Sequence, residues 1–469
     1  MKVDFVKLDR AFNPRVVAVV GDSKVSNFDW LRGQNEFKGK LYSVHVNPDT
    51  FEDIKALGIQ NFTSLLDIPE PVDLAIVAVS RKAALQVLDD CVRKGVAIGH
   101  FFSAGFSETG TKEGRLLEKQ LKEKAEKANF HLVGPNCMGL FNPGVGIKQV
   151  MEQYYGVSGT IGFISQSGGI AAAFSMDAYN QGIYINKSVS IGNGIMLDAA
   201  DFLEYFGQDN QIKVIGMYVE GIKNGRRFFK SLRKVSAVKP VIIWKGGRTE
   251  EGGRAIASHT GSLALSQTVW NTAMKQCGAI QVRSEEELTN TLKAFVFLPD
   301  FRGDRLAIAG GSGGSSVTSA DTFVEAGFKI PALAQNSYDE LETFFGEVGG
   351  SFRNPIDNAG PIRRDMKRVI RILAEDENID NLIYIVGTRP GKHILPMQLQ
   401  NVMDNIRYFR EISGKFVAAI VAIFNPDAAQ ESADVLKALQ EAGIPVFSSY
   451  EYAATALMNV LEYNKRRSG

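Results

Sequence analysis

Cysteine is scarce in this chain. Cys91, Cys137 and Cys277 are the three in 469 residues, and they lie far apart. They are too few for a disulfide framework or a zinc cage and fit a reducing, cytoplasmic setting. The five histidines (His45, His100, His131, His259 and His393) are as dispersed, with no metal-ligand spacing, so no metal site is expected. No stretch approaches the ~20 apolar residues of a membrane helix. Met1 to Arg10 alternates charges with single apolar residues, which is not the pattern of a secretory leader. Charge of one sign is also lacking: Lys plus Arg is 53 and Asp plus Glu is 52, a net charge of +1. That balance argues against a nucleic-acid protein working through a broad basic surface, though not against a local anion site.

Glycine is plentiful, with 46 residues gathered in a few loops. The length predicts roughly two to four domains. Short Val/Ile-rich runs alternate with helical patterns such as Lys82–Lys94 and Lys112–Ala128. Runs apolar on both faces belong in a parallel sheet covered by helices on both sides. One group of strand candidates comprises Val16–Val20, Leu41–Val46, Leu74–Val79, Ile98–Ser103 and Phe130–Val133. A second comprises Thr160–Ile164, Lys187–Ser190, Val214–Val219 and Val241–Trp244. A third comprises Leu306–Ala309, Leu382–Val386, Phe416–Ile423 and Pro445–Phe447. Breaks fall near Asn142–Gly159 and Pro299–Asp304. The reading is α/β, with three doubly wound domains over 1–145, 146–300 and 301–469.

In such sheets ligands bind where strand C-termini meet helix N-termini. The first strand ends in Val20-Gly21-Asp22-Ser23-Lys24, but Ser23 and Ser26 stand where a dinucleotide fingerprint needs glycines. A nicotinamide oxidoreductase is therefore disfavoured. A phosphate-bearing ligand could still use Ser23 and Lys24, and an ordinary turn is the plain alternative. Ile164-Ser165-Gln166-Ser167-Gly168-Gly169 enters a run of alanines, where hydroxyls, glycines and the helix dipole suit an anion, a plain tight turn being the alternative. It lacks the Gly-Lys-Ser/Thr ending of a Walker loop. Ile191-Gly192-Asn193-Gly194 and Ala309–Gly314 are further glycine turns that packing alone could explain. Gly134-Pro135-Asn136-Cys137-Met138-Gly139 is equally rich in turn formers, and a buried Cys137 would be a small apolar residue more often than a nucleophile. Lys245–Leu263 reads as a mobile glycine-rich connection, with Arg248 and Arg254 for phosphate and His259 near its end. A lone histidine is usually structural, but one at the end of such an arm is better placed to carry a group, because imidazole is a competent nucleophile near neutral pH; the spacing alone leaves both readings open.

Taken in order, Gly134–Cys137, Ile164–Gly169, Ser190–Asn193 and Ser258-His259-Thr260-Gly261-Ser262-Leu263-Ala264 resemble the α subunit of NDP-forming acyl-CoA synthetases. The ADP-forming acetyl-CoA synthetases are the nearer type and the succinyl-CoA synthetase α subunit the more distant. Tyr205–Asp209, Lys239–Ile242, Asn354–Asp357 and Gly443–Val446 extend the likeness over nearly the whole chain.

The resemblance implies a Rossmann-like CoA-binding domain followed by two flavodoxin-like domains. It implies a relay in which an acyl phosphate phosphorylates His259, which then passes the phosphoryl group to ADP. Glu220 would orient that histidine, and Ser165, Gln166, Ser167, Gly168 and Gly169 would hold the phosphoryl group. Coenzyme A would meet Gly21, Ser23, Lys24, Asn47, Pro48, Ser80, Arg81, Ser103, Ala104 and Gly105, with Asn136 and Cys137 near its thiol and Gly192 and Asn193 at the carboxylic acid substrate. Two departures stand out. Val25–Arg32 reads VSNFDWLR, bulkier than the family's small loop, which bears on the CoA mode or the acyl pocket. No ATP-grasp domain is found in the sequence, so ATP/ADP and Mg2+ would bind on a separate β subunit, the assembly being α2β2 or built on a homodimer of α. The alternative is a catalytically silent CoA- or acyl-CoA-binding regulatory protein of the same fold.

Overall fold

A computed structural model describes residues 3–260, 266–345, 351–357, 365–387, 396–422 and 429–468. Three sheets are present among them. The first contains β1 (Val16–Gly21), β2 (Lys40–Val44), β3 (Gln60–Phe62), β4 (Leu74–Ala78), β5 (Ile98–Phe101) and β6 (Leu132–Val133), in the order β3-β2-β1-β4-β5-β6. All its pairings are parallel. This is the dinucleotide-fold order, in which the strand sequence reverses beside β1. Val16–Val20 is buried throughout, as a central parallel strand requires.

The second sheet contains β7 (Gly139–Phe141), β8 (Ile161–Ser165), β9 (Ile185–Ser190), β10 (Val214–Val219), β11 (Val241–Lys245) and β12 (Ile280–Val282), in the order β12-β11-β10-β8-β9-β7. Apart from the antiparallel edge strand β7, this is the flavodoxin order, with its switch point between β8 and β10. The chain crosses from the first sheet to the second within Gly134–Met138. That crossing precedes Asn142–Gly159, where the glycine and turn content placed the break.

The two sheets share one apolar core. Val17, Val19 and Ile76 from the first and Ile164, Met217 and Ile243 from the second belong to one buried cluster. The N-terminal helix Phe5–Phe12 sends Leu8, Ala11 and Phe12 into it, and Phe12 stacks on Tyr205 at 5.6 Å between ring centroids. Asp4 caps that helix, accepting from the Val6 N–H at 2.9 Å. Consequently the chain up to Tyr179, with Ile183–Glu285, is one compact unit.

Asn180–Gly182 and the chain from Glu286 form the other unit. Its parallel sheet runs β13 (Leu306–Ala309), β14 (Asn381–Gly387), β15 (Phe416–Ala422), β16 (Val446–Phe447). Isolated parallel bridges from Arg305 to Lys329 and from Ala309 to Ile356 decorate the free edge of β13. No helix of the described residues is long and apolar enough to cross a membrane.

One segment corrects the sequence reading. The glycine-rich connection after β11 is not an irregular arm but a helix over Glu250–Thr260. The Thr249 hydroxyl accepts from the Gly252 N–H at 3.1 Å, and Arg254 pairs with Glu250 and Glu251 one turn away. Those local contacts offset the low helix propensity of Gly252 and Gly253.

Candidate active site

The switch point of the second sheet is built by the turn that follows β8. Ser165 ends the strand, donating its hydroxyl to the Ser167 carbonyl at 2.7 Å and accepting the Ser167 N–H at 3.1 Å. The Ser167 hydroxyl then accepts the Ile170 N–H at 3.4 Å, and the helix Gly168–Asn180 begins. A Cβ on Gly168 would lie 2.6 Å from the Met138 side chain, whereas one on Gly169 would meet only open space. The turn thus presents glycine backbone and a helix N-terminus, a favourable setting for an anion.

Gln166 has a different place from its neighbours. Its side-chain oxygen accepts the N–H groups of Glu220 and Gly221, and its nitrogen donates to the Gly221 carbonyl at 2.7 Å. The amide is occupied at both ends, so it fastens the β8 turn to the β10 turn. Glu220 follows β10 directly and is buried. The Tyr218 hydroxyl donates to its Oε1 at 3.3 Å, and Lys245 Nζ donates to its backbone carbonyl at 2.7 Å. Burial pushes the Tyr218 phenol upward, helped by the Glu220 charge. Burial draws Lys245 downward, and Glu220 opposes that shift. The helix Glu250–Thr260 carries the backbone of His259 and runs beside the Ser107–Thr109 turn. The His259 side chain lies outside the described residues, as do Gly261–Leu263.

The residues expected for coenzyme A gather at the C-terminal ends of β1, β2, β4 and β5. Gly21 closes β1 at φ +87°, where a Cβ would lie 2.6 Å from the Ala78 carbonyl. Asp22 spans the next turn, accepting from Ser23 at 2.8 Å and Leu31 at 3.0 Å. Burial raises its carboxyl, and those amides counteract the rise. The Ser23 hydroxyl accepts the Val25 N–H, and Lys24 pairs with Asp53 at 2.7 Å. Asn47 and Pro48 are exposed at the end of β2, and the Asn47 side chain accepts the Asp49 N–H at 3.1 Å. Ser80 begins a helix, and Arg81 reaches the Gly105 carbonyl at 2.8 Å and Glu113 at 2.7 Å. Ser103 is buried and donates to the Val79 carbonyl, and Ala104 beside it is exposed.

Cys137 points away from this surface. Its thiol is buried against the Phe101 carbonyl at 3.6 Å, and burial pushes it up to about 12. Only its backbone remains for a ligand. The small apolar role, one of the two open from sequence, is the one its side chain takes. Trp30 from the unusual loop stands edge-on to His100 and Phe102, each at 5.1 Å. With Met138 and Met151 it lines a cavity of about 370 Å³ that begins at Asp22 and Ser23. Met138, next to Cys137, lines this cavity and also stands where a Cβ on Gly168 would strike it.

Over 98% of its length the chain is 35% identical to the α subunit of ADP-forming acetate–CoA ligase II from Pyrococcus furiosus, covering 99% of that protein. The chain belongs to this family of α subunits. The ADP-forming acetate–CoA ligase I of Archaeoglobus fulgidus is 34% identical over 98% of the chain, which spans 64% of that longer protein. Residues 15–143 match a CoA binding domain and residues 158–295 a succinyl-CoA ligase like flavodoxin domain. A solved structure of a dinucleotide-forming acetyl-coenzyme A synthetase from Ca. Korarchaeum cryptofilum, in complex with phosphate and ADP, superposes with a TM-score of 0.84. It is 31% identical, with 98% of this chain and 97% of that one covered. The fold is therefore the ligase α-subunit fold, with a Rossmann-like CoA-binding part and flavodoxin-like parts.

Sequence inspection missed two residues of this ligase fold that sit inside the site. Glu108 Oε2 and Glu118 Oε2 each accept from the Asn193 side-chain nitrogen at 2.7 Å. Asn193 also donates its backbone N–H to the Pro135 carbonyl at 2.9 Å, and Lys223 donates to its carbonyl. Gly192, at φ +51°, packs so closely that a Cβ would strike the Asn136 carbonyl. Asn136, Gly192 and Asn193 are thereby brought together, beside Ser103, whose carbonyl accepts the Asn136 N–H at 3.0 Å.

Proposed function

We propose that this chain is the CoA- and phosphate-handling subunit of an ADP-forming acyl-CoA synthetase working through a phosphohistidine at His259. Acyl-CoA and phosphate give acyl phosphate and free CoA. Acyl phosphate then transfers its phosphoryl group to His259, releasing the carboxylic acid. The phosphohistidine passes the group to ADP, and the reverse sequence activates an acid with ATP. The observation that carries this reading is the Gln166 bridge, which holds the Ser165–Gly169 turn and Glu220 side by side at one switch point. Ser165, Ser167, Gly168 and Gly169 would hold the phosphoryl group through backbone N–H groups and hydroxyls. Glu220 would orient the imidazole and balance its charge. The role of Gln166 is to fasten these two parts.

Coenzyme A would enter over Gly21, Ser23 and Lys24, with Asn47, Pro48, Ser80, Arg81, Ser103, Ala104 and Gly105 along the same strand ends. The cavity lined by Asp22, Ser23, Trp30 and Met138 would take a pantetheine arm, and the thiol would then lie near Asn136, the Cys137 backbone and Asn193. Relatives named as α subunits support a separate β subunit that binds ATP or ADP with Mg2+, and a cytoplasmic setting suits these substrates.

The test is intact mass of the chain after incubation with phosphate and a panel of acyl-CoAs, alone and with a β subunit, beside His259→Ala. An acid-labile gain of one phosphoryl group, absent from the variant, is the expected result. No gain under either condition, with CoA still binding, would leave a binding protein without catalysis.

A further inference from the structure

Two carboxylates converge on a single neutral amide. The Asn193 side-chain nitrogen donates one N–H to Glu108 and one to Glu118, each at 2.7 Å. Ionised carboxylates only accept, so they dictate which end of the Asn193 amide faces them. The carbonyl oxygen is turned the other way, toward Asn136, whose side-chain nitrogen approaches it at 3.4 Å. Both acids are themselves anchored. Glu108 Oε1 accepts the N–H groups of Gly105 at 2.6 Å and Phe106 at 3.0 Å, and Glu118 Oε2 accepts the Ser107 hydroxyl at 2.6 Å.

We infer that Glu108 and Glu118 are positioning residues that present Asn193 Oδ1 as a hydrogen-bond acceptor at the thiol end of coenzyme A. This rests on the proposed synthetase reading and deepens it. An amide held in this sense offers an oxygen, which repels a carboxylate or an acyl phosphate and suits an N–H or S–H donor. The ligand group is therefore a donor of the pantetheine arm, its terminal amide or its thiol, which moves Asn193 from the carboxylic acid, where the resemblance put it, to the CoA side. Asn193 acts in the CoA-dependent step and has no part in transfer between acyl phosphate and His259.

The step can be isolated in the full chain with its β subunit. Chain phosphorylation by acetyl phosphate bypasses CoA, whereas phosphorylation by acetyl-CoA plus phosphate requires it. In Glu108→Gln or Glu118→Gln the new amide can donate, so the Asn193 amide is free to turn over. Each variant is expected to lose about tenfold or more in kcat/KM for the CoA-dependent route while the acetyl phosphate route stays within about twofold. Asn193→Ala should lose the CoA-dependent route to a similar extent, and combining it with Glu108→Gln should add little further loss by that route, as for groups acting as a unit. Equal losses by both routes, or full additivity, would mean the acids merely stabilise the loop and would overturn the inference. A wild-type chain that accepts phosphate by neither route would instead remove the synthetase reading itself.

Discussion

Gln166 and Gly221 are joined at both ends of one side-chain amide: the oxygen accepts the Gly221 N–H at 2.9 Å and the nitrogen donates to the Gly221 carbonyl at 2.7 Å. The same oxygen holds the Glu220 N–H. One glutamine therefore sets the spacing between the turn that would hold phosphate and the carboxylate that would orient the histidine.

Gln166→Ala strands those backbone groups at a largely buried position. Leaving a buried donor or acceptor unsatisfied costs about 1–3 kcal/mol. The expected outcome is a loss of roughly 2 kcal/mol in urea unfolding, with a larger proportional loss of chain phosphorylation. Gln166→Glu keeps an acceptor but loses the donor and sets a second negative charge near Glu220, so it should impair phosphorylation at least as much. Wild-type stability and phosphorylation in both variants would show that the bridge is dispensable.

Gly192 and Gly194 share a left-handed backbone, at φ +51° and +52°, but differ in what surrounds them. A Cβ on Gly194 would meet nothing nearer than the Leu197 carbonyl at 3.5 Å, whereas one on Gly192 would collide with the carbonyls of Pro135 and Asn136. Gly194→Ala should therefore show only the backbone strain of about 1 kcal/mol. Gly192→Ala should also displace Asn136 and weaken CoA binding about tenfold or more, read by titration calorimetry. Equal CoA affinities in the two variants would mean that the close approach does not shape the site.

Much of this architecture was legible because parallel strands buried on both faces leave unbroken apolar runs, as in Val16–Val20 and Val214–Val219. The turns after β1, β8 and β9 declared themselves through glycine and serine. Three-residue strands such as Gln60–Phe62, Gly139–Phe141 and Ile280–Val282 are too short to carry a period, and the sheet partner defines them. The helix Glu250–Thr260 was hidden by its glycines, because composition masks the Glu–Arg pairs that support it. Glu108 and Glu118 lie 85 and 75 residues from Asn193. No local pattern announces a hydrogen bond of that span. It arises only when the chain crosses between sheets at Gly134–Met138.

His100 supplies a pH dependence of stability with a definite sign. Its ring is buried, and its Nε2 lies 3.0 Å from the Cys137 carbonyl, so Nε2 carries the proton and donates. Burial draws the imidazole down to about 4, and the Cys137 carbonyl opposes that shift only in part. An unfolded chain takes up this proton near pH 6.5. Between those values the unfolded state binds more protons, so stability is full above about pH 6.5 and falls as the pH drops toward about 4. The loss from this group alone is about 3 kcal/mol across that window. His131, also drawn down by burial, adds in the same direction, since its Nε2 accepts the Asp4 N–H at 2.8 Å and must be unprotonated to do so. His100→Gln removes one titrating group while leaving His131 in place. Urea unfolding from pH 7 to pH 4.5 should therefore show a shallower acid loss in the variant than in the wild type, although the variant is less stable at pH 7. Parallel profiles would mean that His100 stays accessible to protons in the folded chain.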